Sequence, residues 1–547
     1  MFKKKNFLVI ILLGIFALAL FLRFFRLSDF PVGFHQDEAS LGYNGYSLLL
    51  TGKDENNNPL SLYIDMFGDN RPSGYHYLTI LPIKIFGLAE FATRFPGALF
   101  GSLSIFAIYF LVLCIFQNKK LGILAAFLLA ISPWHIVLSR ASAEAIVALF
   151  FIMVGFAFLI RCVYLYKKMY LFFGSLCLIA SFFFYHTPRV FVPTFFMVLL
   201  LILFFITKQV RIRNKMSFVF SFLVVSTTAV LLIFFVAGGQ GRYNQVNIFG
   251  FPETKLILDE QIREDGIIKS NLLETRIFHN KIISYGFTFA RNYFQYFSGD
   301  FLFIKGGLPS WYIVPHMGLL YLIGLPFLVM GFISLSSGRK LLHKIPLLWL
   351  FFAPITAAIT VDDIPNINRS LVMLPALELL TAYGFYVFIE KISPHWKKQL
   401  SLVVFVCLLW NLFYFLHQYF VNATVHKNWY RNEGVGEMVN AVRNVYNQEN
   451  KIIITKATGG IYPLVLFYMQ YDPRVYQTEG SPKDREYGGF GKFMFVPQAC
   501  PSAQKHESYL KTDKILYVDK GDCQGTMINE KNIYRKDGTK AFRLVYE

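Results

Sequence analysis

The sequence predicts a polytopic α-helical membrane protein that ends in a small soluble α/β domain. Three observations carry this prediction. The 547 residues are 55% hydrophobic and only 16% charged, where a soluble domain carries about 25% charged residues. The apolar residues recur in blocks of roughly 20, enough for a helix to cross a bilayer core. After residue 420 the character changes to mixed polar text.

The first block, MFKKKNFLVIILLGIFALALFLRFF, has the basic flank of a signal peptide. Its apolar run is too long for one and no small-residue cleavage site follows, so it reads as a retained first span. Lys and Arg then gather between apolar blocks: KKK at 3–5, NKK at 118–120, RCVYLYKK at 161–168, KQVRIRNK at 208–215, SGRKLLHK at 337–344 and EKISPHWKK at 390–398. The positive-inside rule assigns all six to the cytoplasm. The net charge of +19 is then largely a topology signal, not the footprint of a nucleic-acid binder.

This assignment gives about eleven spans, at 6–26, 92–116, 121–138, 143–163, 169–185, 190–207, 216–236, 312–334, 345–360, 371–389 and 399–419. The chain divides into a transmembrane domain, 1–420, with outer loops 27–91 and 237–311, and an extracytoplasmic α/β domain, 421–547. Residues 75–91 have room for a helix lying in the interface. In the tail, KNWYRNEGVGEMVNAVRNVY has helical spacing, while KIIITKA and ILYVD at 515–519 read as strands. The tail also holds Cys500 and Cys523, either one disulfide or two free thiols. Asn422 begins an N-A-T sequon, a pattern common by chance.

Ionisable residues collect on the outer side: Asp37, Glu38, Arg71, Arg94, Arg140, Glu144, His186, Arg189, Arg242, Asp362, Asp363 and Arg369. Single arginines at helix ends are ordinary snorkelling residues. A mixed-charge set converging from separate loops points instead to a function. It suits an anionic head group on an apolar tail, since arginines hold phosphate by bidentate bonds. Carboxylates can accept a hydroxyl proton or coordinate a divalent cation. The sequence has no GxxxxGK[ST], HExxH, GxSxG or CxxC pattern, so no nucleotide cofactor is expected, and metalloproteases, α/β-hydrolases and dithiol enzymes have no support.

Asp37 and Glu38 stand side by side. On a helix they point about 100° apart, so one meets substrate while the other orients it, caps the helix or helps hold a metal.

Several blocks, in order, resemble a known family: HQDEASLGYNGYSLLLTGKD, NRPSGYHYL, KIFGLAEFATRFPGALFGSL, SPWHIVLSRASAEA, FFYHTPRVFVP and PNINRSLVMLPALELLTAYG. GRYNQVNIFG and SGDFLFIKGG add to the likeness. The order resembles the protein O-mannosyltransferase and lipid A aminoarabinose transferase group of C-type glycosyltransferases, in its prokaryotic members. The resemblance implies a polyprenyl-phosphate-linked sugar as donor and an acceptor hydroxyl on a lipid, polymer or protein, reached from the outer face of the plasma membrane. It implies Asp37 as general base, Glu38 in a supporting or metal-associated part, and a single inverting displacement. Arg71, Arg140, Glu144, His186, Arg189 and Arg369 are then expected at the donor phosphate or substrate, with a divalent cation (Mg2+ or Mn2+) as an optional cofactor. The sequence departs from the aminoarabinose transferases in having NRPSGYHY where a doubled proline is usual. It departs from eukaryotic mannosyltransferases in its C-terminal domain. A lipid or polyprenyl-sugar flippase is the alternative, although the sequence lacks the internal repeat that many transporters carry. A non-catalytic membrane subunit is a third reading.

Overall fold

The computed structural model describes residues 2–66, 68–165, 167–206, 212–236, 247–250, 252–479, 488–503, 514–525 and 529–546. Arg242 and most of the GRYNQVNIFG block lie outside the described residues. The chain forms two compact units. One comprises Met1–Arg23, Phe100–Leu138 and Ala143–Tyr414, the other Phe24–Leu99, Ser139–Ser142 and Phe415–Glu547.

Helices dominate the first unit. Among the described residues, seven helices are long and apolar enough to cross a bilayer, or eight if one bent pair counts as a single span. The protein is therefore multi-pass, with fewer full-length crossings than the eleven expected. The other three expected spans fall on shorter apolar helices, Lys168–Ser181, Pro188–Ile202 and Leu322–Ser337. At 1.5 Å per residue these are short of a ~30 Å hydrocarbon core. The expected span 312–334 starts late because Pro315 and the left-handed His316 (φ 58°) interrupt the helix before it.

Near residue 132 the sequence predicts one continuous span, and the structure breaks it. Helix α5 (Lys119–Ile131), capped by the Asn118 side chain, meets α6 (Pro133–Arg140) at 55°. Ser132 is extended (ψ 120°), as a residue before proline prefers, and Pro133 opens the next helix.

The second unit is built around helix α2 (Gln36–Thr51), a two-stranded hairpin of β1 (Tyr63–Met66) and β2 (Asp69–Pro72), helix α3 (Gly74–Phe86) and a six-stranded sheet from the tail. The α3 helix occupies the stretch with room for an interfacial helix. The sheet order is β4-β5-β3-β6-β8-β7, with β3 (Lys451–Thr455) parallel to both β5 (Phe493–Val496) and β6 (Ile515–Lys520). The strands read from the sequence are β3 and β6. β4 (Gly489–Phe490) and the antiparallel β7 (Glu530–Tyr534) and β8 (Lys540–Tyr546) complete it. Cys500 and Cys523 are disulfide-bonded.

One apolar core runs through this unit. Phe34, Ala39 and Tyr43 pack with Ile83, with Met438 and Val442 of the helix Val435–Val445, with Ile452 and Ile454 of β3, and with Leu466 and Phe467 of the helix Tyr462–Met469. The tail and the first loop bury their apolar faces against each other. About 25 cal/mol per Å² of buried apolar surface stabilises the whole, not two separate pieces.

Candidate functional site

The carboxylate pair sits on the first turn of α2. His35 is the N-cap, extended at φ −71° and ψ 148°, and its ring accepts from the Asp37 backbone N–H. Acids are favoured here because the helix N-terminus carries partial positive charge. Gly52, left-handed at φ 73°, ends the helix and donates to Leu48 O, the ordinary role of a C-terminal glycine.

Capping is only part of the answer, because the two acids have different surroundings. Asp37 keeps 14% of its side-chain surface exposed, against 3% for Glu38. Arg71 projects from β2 and donates to Asp37 Oδ2 at 2.9 Å, with its Nε on Asp69 Oδ2 at 3.1 Å. Glu38 is buried between two other arginines. Its Oε2 accepts from Arg94 Nη2 at 2.9 Å, from Arg94 Nε at 3.3 Å and from Arg431 Nη2 at 3.0 Å. Burial raises the Glu38 pKa, but Arg94 and Arg431 more than offset it, so the carboxyl ends below its usual range. The neighbouring His35 is lowered chiefly by burial.

Arg94 has no exposed surface. Besides Glu38 it donates to the main-chain carbonyls of Leu27, Ser28 and Gly33 at 3.1, 3.1 and 2.8 Å. This is what a planar five-donor guanidinium does that an ammonium cannot. Arg140 behaves similarly. It donates to Phe25 O at 2.8 Å and Phe30 O at 3.2 Å and lies over the Tyr419 and Phe420 rings.

Beyond the pair, the first loop carries another buried acid. Glu55 is pushed up to about 8, by burial first and by Asp54 second. Asp54 folds its own loop, accepting from the backbone N–H groups of Asn56 and Asn58 at 2.9 Å each.

The other expected residues belong to the first unit. Arg189 donates twice to Phe182 O, at 3.0 and 2.6 Å, and meets His186 Nδ1 at 3.2 Å. Arg369 donates to Thr360 Oγ1 at 2.9 Å and to Asp362 through both its main-chain and side-chain oxygens. Glu144 is buried at the first residue of its helix.

Among the described residues no group of three or more His, Cys, Asp or Glu side chains is placed to share a metal ion. Glu38 does not fit the metal-associated role, because two guanidiniums already occupy its Oε2 and a divalent cation there would meet like charge.

Of the expected residues, Asp37, Glu38 and Arg71 come together, with Arg94 as the buried counter-ion. Sequence reasoning missed Arg431. It lies 393 residues from Glu38 in NWYRNEG, a stretch with no motif.

No family model and no curated protein sequence matches this chain. Solved structures do. ArnT from Cupriavidus metallidurans bound to undecaprenyl phosphate superposes with a TM-score of 0.55 at 12% identity, covering 99% of this chain and 98% of that one. The Archaeoglobus fulgidus oligosaccharyltransferase tethered with an acceptor peptide gives 0.53 at 13% identity, covering 85% of this chain. Another structure, of the oligosaccharyltransferase AglB from that organism, with an inhibitory peptide and a dolichol-phosphate, gives 0.52 at 13%. A further one contains Zn and sulfate. This chain spans 63% of the first oligosaccharyltransferase's length and 64% of the second's. The chain shares the fold of these structures: apolar helices with a C-terminal β-sheet domain.

Proposed function

We propose that this protein transfers a sugar from a polyprenyl-phosphate donor to an acceptor hydroxyl, with Asp37 as general base. The observation that carries the reading is the asymmetry of the pair. Glu38 is locked between Arg94 and Arg431, whereas Asp37 is partly exposed and fixed at one oxygen by Arg71. The fold it shares with polyprenyl-phosphate-bound ArnT and dolichol-phosphate-bound AglB supports the donor class.

In the proposed reaction the acceptor oxygen attacks the anomeric carbon as its proton passes to the Asp37 carboxylate. The bond from that carbon to the phosphate oxygen breaks, and the polyprenyl phosphate leaves with the electron pair. One displacement inverts the anomeric centre. A positioned base contributes about 10²–10⁴-fold. The leaving phosphate gains charge, so cations already in place stabilise the transition state more than the ground state. The family resemblance gives that part to Arg140, Arg189 and Arg369, each of which donates to a main-chain carbonyl that fixes its direction. Glu144 and His186 would shape the substrate site. The N-terminus is assigned to the cytoplasm and the tail to the outside by the distribution of Lys and Arg.

The test is transfer from a panel of radiolabelled polyprenyl-phosphate sugars in native membranes, comparing wild type with Asp37→Asn. Collapse of transfer with donor still bound supports Asp37 as base and names the sugar. Equal transfer by both reduces the pair to a helix cap. No transfer from any donor by wild type overturns the reaction class and favours lipid transport.

A further inference from the structure

The tail reaches the carboxylate pair through one side chain. Arg431 ends a short 3-10 turn, Asn428–Arg431, set between left-handed residues Lys427 (φ 50°) and Asn432 (φ 57°). Only 8% of its side chain is exposed. Its Nη2 donates to Glu38 Oε2 at 3.0 Å, and its carbonyl presses on the first loop. A Cβ added at Gly33 (φ 77°) would lie 2.5 Å from Arg431 O, so only glycine fits there. Gly33 O in turn accepts from Arg94, which also holds Glu38. The ring Gly33–Arg94–Glu38–Arg431 is therefore closed, and one of its four members comes from the tail.

Other tail contacts bear on the same turn of helix. A Cβ at Gly460 would lie 2.4 Å from Gln36 Oε1, next to Asp37. Tyr468 Oη donates to Glu90 Oε1 at 2.5 Å, and Glu90 lies 3.5 Å from Arg94. Phe467 packs on Phe34 with ring centroids 4.7 Å apart.

We propose that Arg431 is a positioning residue: by pinning Glu38 it fixes the rotation of the first turn of α2, and with it the direction of Asp37. Adjacent side chains on a helix stand about 100° apart, so a turn held at Glu38 cannot rotate under Asp37. A catalytic group displaced by about 1 Å loses about 10²-fold in rate. The tail domain on this view is part of the active-site scaffold. The proposal rests on the reading of Asp37 as base, and its test has an arm that does not.

The full-length protein in membranes or nanodiscs is compared as wild type, Arg431→Gln, Arg431→Lys and Arg443→Gln. The last removes one charge from the exposed face of a tail helix. Two quantities are read: steady-state transfer from the donor found with wild type, and amide hydrogen exchange along 36–51 and along β3 and β6. Positioning predicts that Arg431→Gln lowers kcat by about 10–100-fold with the donor KM changed less than about twofold. Exchange rises at Ala39–Leu41 while β3 and β6 stay protected, Arg431→Lys recovers most of the turnover, and Arg443→Gln matches wild type. Unchanged exchange in α2 overturns the proposal whatever the turnover. So does equal loss of protection throughout the tail without rescue by lysine, the signature of a merely structural residue. Faster exchange at the first turn, with no donor used even by wild type, upholds the positioning role and overturns the reaction.

Discussion

The arginines around the carboxylate pair of the second unit are held differently from Arg189 and Arg369 of the first. Around the pair, arginines meet carboxylates: Arg71 holds Asp37, and Arg94 and Arg431 hold Glu38, whereas Arg140 of the same unit sits on the Phe25 and Phe30 carbonyls. In the first unit, they are held mostly by oxygens that carry no charge. Arg189 sits on the Phe182 carbonyl, and Arg369 uses Thr360 Oγ1 and the Asp362 carbonyl as well as the Asp362 carboxylate. The ion pairs of the second unit fix the directions of the two acids. In the first unit, carbonyl and hydroxyl oxygens fix the direction of Arg189 and Arg369.

The comparison breaks most visibly at Asp37. Asp37→Asn should lower transfer by about 10²–10⁴-fold with donor binding intact, read in the radiolabelled-donor assay.

Glu38→Gln should act first on stability. It leaves Arg94 and Arg431 without their shared anion, a loss of about 3–5 kcal/mol for a buried pair, visible as a lower melting temperature in detergent. The pH dependence checks the cause. Glu38 titrates below 4.5 in the folded chain. Its contribution is therefore present above pH 4.5 and lost as pH falls through the lowered folded value. The melting curves of wild type and Glu38→Gln should converge only once pH has fallen through that lowered value. A gap that persists there would mean that packing, not charge, holds the ring.

Arg189→Gln and Arg369→Gln should weaken donor binding rather than the fold. A charge-assisted bond contributes about 1.5–3 kcal/mol, so the donor KM should rise about 10–100-fold. Titration with the bare polyprenyl phosphate separates this from a loss of turnover.

The smallest expected effect is a matter of sign. Glu55 is buried beside Asp54, and its pKa is raised to about 8 from 4.5. The folded chain keeps a proton that the unfolded chain releases, so wild type loses stability as pH rises from 4.5 to about 8. Glu55→Gln should melt progressively above wild type over that window, with no further gain beyond it. A constant gap would show that Glu55 stays ionised when folded.

Much of this was legible in the sequence. Blocks of apolar residues and the spacing of Lys and Arg between them specify a helical membrane protein, because a bilayer admits no unpaired backbone. KIIITKA and ILYVD are strands in the sheet, and the DE pair opens a helix. The break at Ser132 was legible in principle as well, since a Ser-Pro step in an apolar run disfavours helix at the serine. β7 and β8 were not read. Their placement, β8 on β6 and β7 on β8, is fixed by the rest of the sheet and not by local propensity.

What the chain determined by itself was composition-driven: the apolar helices and the two acids on a helix start. Which acid is exposed was decided only by tertiary structure. Asp37 and Glu38 are neighbours with nearly the same chemistry, and local propensity cannot tell them apart. They are told apart by Arg71 on a hairpin, Arg94 on a later helix and Arg431 in the tail. Those contacts exist because the first loop and the tail bury one apolar core together, and a charge removed from water must find its partner wherever that core brings the chain.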